Sequence, residues 1–247
     1  GQYERSVSFF SNSELAARGE PSPEVLEILE PFRDRLPPEV FGQAYLPPST
    51  DGTGWPRDNL RRAFELLDKA GYVVRDMQMV DEETGQPLEF EMLLRGGGGG
   101  FRRIVLPFRH NLARLGITMT IREVDDAQYT NRIRARNFDM IVGGWGQSDS
   151  PGNEQGAMWS SAAADIPSSR NYAGLKDPVV DALVELVINA PSREALVNRT
   201  RALDRVLRAH HFVIPNWHLS KDRILYWDKY SYPPPTADAG TSLSYWW

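Results

Sequence analysis

The spacing of apolar residues switches between two periods in the middle of the chain. In PRDNLRRAFELLDKAGY the apolar residues share one helix face, and Gly71 follows where that helix would end. In PLEFEMLL they alternate with glutamates, which is the period of a strand. The helical spacing returns in FRRIVLPFRHNLARLGI, where the predicted buried face consists of Ile104, Phe108, Leu112 and Leu115.

The same alternation continues towards residue 145. ITMTIREV has the period of a strand, DAQYTNRIRARNF that of a short helix capped by Asp125 or Asp126, and FDMIVGGW is a strand that is apolar on both faces. Two further helices are predicted beyond it, one capped by Asp177 and the other by Ser192. Strands that alternate with helices predict an α/β fold, in which helices flank a largely buried sheet.

The two ends of the chain differ from this regular part. Seven prolines between residues 21 and 48 restrict helices there to short pieces, of which the best candidate is Pro23–Phe32 with Ser22 as its cap. After Ala209 the sequence becomes extended and aromatic. We therefore expect residues 1–47 to form a proline-rich wrapping segment, residues 48–211 an α/β lobe, and residues 212–247 a tail.

Composition excludes several classes of protein. The chain has 247 residues, of which 41% are hydrophobic and 25% charged, as in ordinary globular domains. Its net charge of −5 and the lack of a basic run argue against nucleic acid as a partner. No segment approaches the roughly 18 consecutive apolar residues of a membrane span. The start GQYERSVSFF lacks the basic residues and the apolar stretch that are typical of an export signal, and a chain that opens on Gly1 is expected to be a piece of a longer protein.

The sequence offers little support for catalysis. It has no cysteine, its four histidines lack a metal-binding spacing, and no GxSxG motif occurs. The glycine run at 96–100 is followed by Phe101, Arg102 and Arg103 rather than by the Lys and Ser or Thr of a phosphate-binding loop. We therefore predict no catalytic residue, no metal site and no cofactor, and we interpret the glycine run as a flexible turn.

The segment GGWGQSDSPGNEQGAMW is the candidate ligand site, because ligands of open α/β sheets bind outside strand ends. Its glycines would let a ligand approach the backbone, its first tryptophan would supply an apolar wall, and its polar side chains would accept hydrogen bonds. The predicted site consists of Trp145, Gly146, Ser148, Asp149, Asn153, Glu154 and Trp159. The alternative is that Trp145 fills the core and the polar loop is solvated. The residues alone leave both open.

Several phrases, in order, resemble the C-terminal part of the family 5 extracellular solute-binding proteins, the peptide-type receptors of ABC importers. They include DNLRRAFELLDKAGY, NLARLGITMTIREVDDAQYTNRIRARNFDMIVGGWGQSDSPGNEQGAMWSS, SRNYAGLKDPVVDALVELVINA and RALDRVLRAHHFVIPNWH. The opening GQYERSVSFFSNSELAARGEPSPEVLEILEPFRDRLPPEVF resembles the branch that imports oligopeptides and microcin-type conjugates.

The resemblance implies a lobe of the type II periplasmic binding protein kind, with a mixed sheet flanked by helices. It implies a peptide or peptide-like ligand bound in a cleft between two lobes, a membrane permease as partner, and a periplasmic location. The tail would return towards an N-terminal lobe that is absent from this chain. Family members place an aspartate shortly after GW to bind the peptide amine; here Ser148 is third after Trp145 and Asp149 is fourth. The rival hypotheses are a hydrolase or transferase lobe and a protein-interaction module.

Overall fold

The computed structural model describes residues 3–11, 13–97, 100–219, 225–229 and 231. The chain divides into two compact units, of which one comprises residues 1–47 and 145–247 and the other residues 48–144. The sequence predicted a boundary near residue 48 and a single lobe over 48–211. The contacts instead group residues 145–211 with the N-terminal segment, because the helices of both stretches share one core.

Helices and strands alternate through the unit 48–144, whereas the unit formed by residues 1–47 and 145–247 contains mostly helices. Short 3-10 helices follow the first α-helix at Glu30–Arg35 and Pro38–Phe41. In chain order the other elements are β1 (Glu4–Arg5), α1 (Pro23–Leu29), α2 (Arg57–Lys69), β2 (Tyr72–Arg75), β3 (Gln78–Asp81), β4 (Glu89–Arg95), α3 (Gly100–Ala113), β5 (Thr118–Val124), α4 (Asp126–Arg134), β6 (Met140–Ile141), α5 (Glu154–Trp159), α6 (Ser161–Ala164), α7 (Pro178–Ile188), α8 (Arg193–Ala209) and β7 (Trp217–His218).

A parallel sheet with the order β5-β4-β6 forms the centre of the unit 48–144. Strand β4 pairs with β5 along its whole length, from Glu89 opposite Thr118 to Arg95 opposite Val124. A core of Met92, Leu94, Val105 and Met119 lies on this sheet. Since both crossovers are helical, the sheet has the arrangement that the alternation of periods predicts.

The hairpin β2–β3 is fixed to this unit by a glycine contact. Asp76 and Met77 both have positive φ, +50° and +63°, which is the backbone of a two-residue type I′ turn. Gly116, with φ +79°, accepts a hydrogen bond from the N–H of Met79 at 2.8 Å. A Cβ on Gly116 would lie 2.7 Å from that same nitrogen, so only glycine fits there.

The buried face of α3 differs from the predicted one. Val105 is buried, whereas Ile104 is 40% exposed. Phe108 and Leu112 pack against the core, as predicted. Residues 105, 108 and 112 are also spaced at helical intervals, so the pattern alone allowed two faces that differ by one residue.

Helices α7 and α8 form the centre of the other unit. They pack against each other and against α1 and the second 3-10 helix. Their predicted N-caps are confirmed: the side chain of Asp177 accepts from the N–H of Val179 at 2.7 Å, and that of Ser192 from Ala195 at 3.2 Å. The shared core includes Val25, Leu29, Met158, Trp159, Val180, Leu183, Leu203 and Leu207.

Helix α8 holds the N-terminal segment through three charged side chains. Asp204, with no exposed surface, accepts hydrogen bonds from the N–H groups of Phe9 and Ala17, each at 3.0 Å. Arg208 donates to the carbonyl of Ala17 at 2.8 Å and pairs with Asp204 at 3.3 Å. Arg205 donates to the carbonyls of residues 19 and 42, at 2.7 and 2.8 Å. These three side chains thus bind the segment through its main-chain atoms, in addition to the apolar packing of Phe10 and Leu15 against Val197.

Two predictions near residue 145 require correction. FDMIVGGW was predicted as a strand, but only Met140–Ile141 pairs with β4. The segment up to Trp159 was predicted as a loop, but it contains helix α5, and α6 follows. These short helices could not be predicted from the sequence, because the segment is rich in glycine and serine, which disfavour helix interiors. They are stabilised by tertiary packing of Met158 and Trp159.

The tail is only partly described. Trp217 and His218 form β7, which pairs antiparallel with β1. Most of the predicted tail beyond residue 219, including Trp246 and Trp247, lies outside the described residues, so its proposed path towards an N-terminal lobe stays a prediction. Among the residues that the structure does describe, no helix is both long and apolar enough to cross a membrane.

Candidate functional site

Trp145 stands at the centre of an aromatic cluster within the unit that contains the N-terminal segment. Its ring centroid is 5.1 Å from that of Trp159, 5.6 Å from Tyr172 and 5.8 Å from Phe9. Its indole nitrogen donates to the carbonyl of Arg170 at 2.9 Å. The indole is therefore fixed in orientation and partly buried. This placement is compatible both with a wall of the ligand site and with a side chain that fills the core.

Trp159 supports this cluster from the interior. It is only 1% exposed, so its side chain belongs to the core. Its indole nitrogen donates to Gln155 Oε1 at 2.9 Å, and Gln155 Nε2 donates to Gln147 Oε1 at 2.7 Å. Gln155 is completely buried. This chain of hydrogen bonds ties the loop after Trp145 to helix α5.

The loop between Trp145 and α5 presents its polar groups to the surface. Gly146, Ser148 and Asp149 are all exposed, and a Cβ on Gly146 would meet open space. The backbone carbonyl of Asp149 accepts a hydrogen bond from Arg193, which also pairs with Glu14. The backbone of the loop is thus anchored at Asp149, and the carboxylate of that residue remains exposed.

Glu154 is the first residue of helix α5, and its carboxylate accepts hydrogen bonds from adjacent residues. Its Oε1 accepts from the N–H of Gly152 at 2.9 Å and from Gln155 at 3.2 Å. Partial burial raises the pKa of Glu154, but these hydrogen bonds and the one from its own N–H outweigh that effect, so the pKa is lowered. Asn153 is exposed at the cap position and makes no side-chain cap bond. Glu154 therefore remains ionised at neutral pH and can meet a cation.

Sequence reasoning missed the residues that surround Trp145. Phe9, Tyr172 and Phe212 reach its ring from distant parts of the chain. Their aromatic character was visible in the sequence, but their convergence depends on long-range packing. The predicted residues from 145 to 159 lie together because they are consecutive in the chain.

A second candidate lies at the carboxyl ends of the parallel strands, inside the unit 48–144. A cavity of about 430 Å³ opens there. Its lining includes Leu94 and Arg95 from β4, Glu123 from β5, Val142 just after β6, and Phe101 and Arg102 from α3. Arg95 and Glu123 lie at the carboxyl ends of their strands, where ligands of open α/β sheets bind, whereas the predicted site lies only after the last strand.

Within the described ranges, no group of three or more His, Cys, Asp or Glu side chains converges as a metal site would require. Two of the histidines contact polar side chains elsewhere in the chain. His210 Nε2 lies 2.9 Å from Asp177 Oδ2, and His218 Nδ1 lies 3.1 Å from Ser6 Oγ.

The fold is that of the solute-binding proteins of ABC importers. A nickel ABC transporter protein from Bacillus halodurans superposes on 89% of this chain, and this covers 38% of that protein, with a TM-score of 0.61 and 18% identity. The oligopeptide-binding protein AppA from Bacillus subtilis, solved with a nonapeptide, superposes on 91% of the chain and 45% of its own length, with a TM-score of 0.57 and 16% identity. At these identities the likeness concerns the fold, and it confirms the predicted fold class.

The chain belongs to the bacterial extracellular solute-binding proteins, family 5. Residues 30–165 match the part of that family described as its middle region. This match confirms the resemblance seen in the sequence. It also agrees with the prediction of a binding protein rather than an enzyme, since the family consists of solute-binding proteins.

The relatives that match the whole chain include two with more than 40% identity. The protein y4wM of Sinorhizobium fredii, described as uncharacterized, is 47% identical over 247 residues, and the probable peptide-binding protein YejA of Agrobacterium fabrum is 45% identical over 248 residues. The chain spans 37% and 40% of their respective lengths.

Proposed function

We propose that the chain forms part of the substrate-binding component of an ABC importer and that its ligand is a peptide or a peptide-like conjugate. The observation that carries this proposal is the family match over residues 30–165, a range that includes both the parallel sheet and the loop after Trp145. The relative named as a probable peptide-binding protein supports a peptide as the ligand. In this role the protein binds its ligand without making or breaking a bond.

The complete receptor is proposed to have a second lobe, and the ligand would bind in the cleft between the lobes. The short span of this chain in its relatives supports a longer receptor. The receptor would deliver its ligand to a membrane permease from the periplasm. Hinge closure around the ligand is the motion by which binding proteins of this kind work.

The proposed ligand contacts in the loop are Trp145, Gly146, Ser148, Asp149, Asn153 and Glu154, with Trp159 behind them. Trp145 would offer the free part of its ring to apolar groups of the ligand. The exposed carboxylate of Asp149, or the ionised Glu154, would bind the α-amino group of the peptide. A charge-assisted hydrogen bond of this kind contributes about 1.5–3 kcal/mol, or roughly ten- to a hundredfold in affinity.

The class of function is tested by native mass spectrometry of the complete receptor after incubation with a synthetic peptide pool. Intact peptides bound at one per receptor are expected. Cleaved products would favour the hydrolase hypothesis, and a protein partner in place of a peptide would favour the interaction module. A bound nickel ion with no peptide would replace the proposed ligand class.

The amine contact is tested by calorimetry with one peptide in its free-amine and N-acetylated forms. Asp149→Asn and Glu154→Gln are compared, with Asp165→Asn as a control, because Asp165 is an exposed carboxylate paired with Lys176 outside the proposed site. Substitution of the residue that binds the amine should lower the affinity for the free-amine peptide by about ten- to a hundredfold and leave the affinity for the N-acetylated peptide unchanged. Equal losses for both peptide forms would exclude the altered residue from this role.

A further inference from the structure

We propose that Gln155 is a positioning residue, which holds the carboxylate of Glu154 where it binds the α-amino group of the peptide. This inference rests on the proposed function and decides between the two carboxylates offered there, in favour of Glu154 over Asp149. Gln155 itself is not among the predicted site residues, because it is completely buried.

The orientation of the Gln155 amide is set by Trp159. An indole N–H can only donate a hydrogen bond, so the atom of Gln155 that lies 2.9 Å from Trp159 Nε1 is the oxygen Oε1. The amide nitrogen then faces Gln147 and Glu154. Because Gln155 has no exposed surface, solvent does not compete for its two N–H groups.

The N–H groups of Gln155 fix two side chains at the start of helix α5. Nε2 donates to Gln147 Oε1 at 2.7 Å and to Glu154 Oε1 at 3.2 Å. The N–H of Gly152 donates to the same oxygen of Glu154, at 2.9 Å. Glu154 is exposed, and an exposed glutamate without these donors would have to be ordered by the ligand, at a cost in affinity. Gln155 thus removes part of that cost.

The charge of Glu154 is not compensated by a cation. The donors to its carboxylate are the neutral N–H groups of Gly152 and Gln155, and no ion pair of Glu154 occurs in the part of the chain that the structure describes. Neutral donors orient a carboxylate and leave its charge in place. Glu154 therefore combines a fixed position with a full negative charge, and a ligand ammonium group is its matching partner.

Asp149 lacks both properties. The guanidinium of Arg193 donates to the main-chain carbonyl of Asp149, so a positive charge already lies beside this residue. Among the described residues, no hydrogen-bond donor holds the carboxylate of Asp149. An amine bound there would lie near a guanidinium and would have to order the aspartate side chain.

The same amide connects the carboxylate to the aromatic cluster. Gln155 accepts from Trp159, and the ring centroid of Trp159 lies 5.1 Å from that of Trp145. The hydrogen bonds of Gln155 therefore hold Glu154 in a fixed relation to the indole of Trp145. Loss of the amide should weaken the amine contact while the packing of the cluster remains.

The test measures, by calorimetry on the complete receptor, the preference for the free-amine form of one pool peptide over its N-acetylated form. The variants are Gln155→Met, which keeps the length of the side chain without its N–H groups, Glu154→Gln, and both together. Asn171→Leu is the matched control, because Asn171 is another buried amide of the same unit, bonded to the carbonyls of Ser160 and Leu175.

The wild type should prefer the free amine by about ten- to a hundredfold, and Glu154→Gln should abolish the preference. Gln155→Met should reduce it by about two- to tenfold, the cost of ordering one free side chain. In the Glu154→Gln background it should have no further effect on the preference. Asn171→Leu should leave the preference unchanged.

A purely structural role of Gln155 would lower both affinities alike, and the preference does not register such a change. The affinity for the N-acetylated peptide also shows whether the site of each variant is intact. If Gln155→Met does not fold, Gln155→Asn replaces it. That variant keeps an amide but shortens its reach, and it should show the same reduction.

The negative results are distinguishable. The inference is overturned, and the proposed function stands, if the wild type binds both forms equally or if the variant of Gln155 lowers both affinities alike. The same holds if its effect on the preference persists without Glu154, if Asn171→Leu reproduces it, or if Asp149→Asn abolishes the preference in place of Glu154→Gln. If no peptide of the pool binds the wild type, the proposed function itself fails, and the inference fails with it.

Discussion

Replacement of Gly116 by alanine tests the contact that joins the β2–β3 hairpin to the rest of its unit. The added Cβ would lie 2.7 Å from the nitrogen of Met79 and 3.1 Å from both the carbonyl carbon of Gln78 and the carbonyl oxygen of Met77. These are backbone atoms, so no side-chain rotation relieves the overlap. The hairpin would have to move away from residue 116.

Three effects set the magnitude. Alanine at φ +79° costs about 1–2 kcal/mol of backbone strain. Movement of β3 lengthens the 2.8 Å hydrogen bond from Met79 to Gly116, and a buried donor left unpaired costs about 1–3 kcal/mol. Alanine also lowers the conformational entropy of the unfolded chain, which stabilises the folded state by about 0.4–1 kcal/mol. We expect Gly116→Ala to lower the free energy of unfolding by about 2–4 kcal/mol.

Two glycines of the same unit serve as controls. Gly71 has φ +85° but open space around a Cβ, so Gly71→Ala reports backbone strain without overlap. Gly144 has neither a positive φ nor a contact, so Gly144→Ala should change stability by less than about 0.5 kcal/mol. The difference between the alanine variants of Gly116 and Gly71 isolates the steric part.

Urea unfolding followed by circular dichroism gives the free energies, and amide exchange at Met79 shows whether the loss is local. Faster exchange of that amide is expected in Gly116→Ala only. The reasoning would be refuted if Gly116→Ala were no less stable than Gly71→Ala, or if the amide of Met79 kept its protection.

Three further outcomes are expected. Asp204→Ala should lower the free energy of unfolding by about 3–5 kcal/mol, because Arg208 would be left as a buried charge without its partner; a loss below about 1 kcal/mol in urea unfolding would contradict this role. Met77→Gly should raise stability slightly, by up to about 1 kcal/mol on the same assay, because Met77 has φ +63° and is 89% exposed; a lower midpoint would contradict it. Hydrogen bonds from the N–H and hydroxyl of Thr84 lower the pKa of Asp81. At any pH above the usual aspartate pKa these bonds therefore stabilise the turn, and this stabilisation is lost as the pH falls through the lowered pKa. Asp81→Asn should abolish the acid-dependent rise in exchange at the amide of Thr84.

The elements that the sequence predicted best are those with local determinants. The cap at Ser22 is confirmed by its hydrogen bond from the N–H of Val25, and that at Asp125 by its bond from Gln128. Gly71 follows the end of helix α2, as predicted, and has a positive φ. Each of these depends on residues within a few positions of one another, so the chain itself contains the necessary information.

The elements that were missed depend on distant partners. Helix α5 contains Gly156 and has no side-chain cap bond, and it is stabilised by the burial of Met158 and Trp159. The hairpin β2–β3 lacks the Asn-Gly or Asp-Gly sequence that typically indicates such a turn. Its turn residues are Asp76 and Met77, which adopt positive φ although neither is glycine. In both cases tertiary packing overrides weak local preference.

The candidate site shows the same division. Trp145 and the polar residues after it could be selected from the sequence, because a strand followed by glycines and carboxylates is a local pattern. The aromatic ring of Phe9 beside Trp145 could not, since it comes from the other end of the chain. The cavity at the strand ends required the register of β4 on β5, which brings Arg95 near Glu123 and sets both opposite helix α3.

The three charged side chains of helix α8 bind main-chain atoms of the N-terminal segment, and this affects how the two can diverge in evolution. Arg205 and Arg208 donate to carbonyl oxygens of residues 17, 19 and 42, and Asp204 accepts from main-chain N–H groups. Any residue type supplies those carbonyls, so side chains of the segment that point to solvent are free to change. The three charged residues of α8 have no such freedom. Homologous members of the family are therefore expected to retain this triplet of α8 residues while the solvent-exposed side chains of the segment diversify.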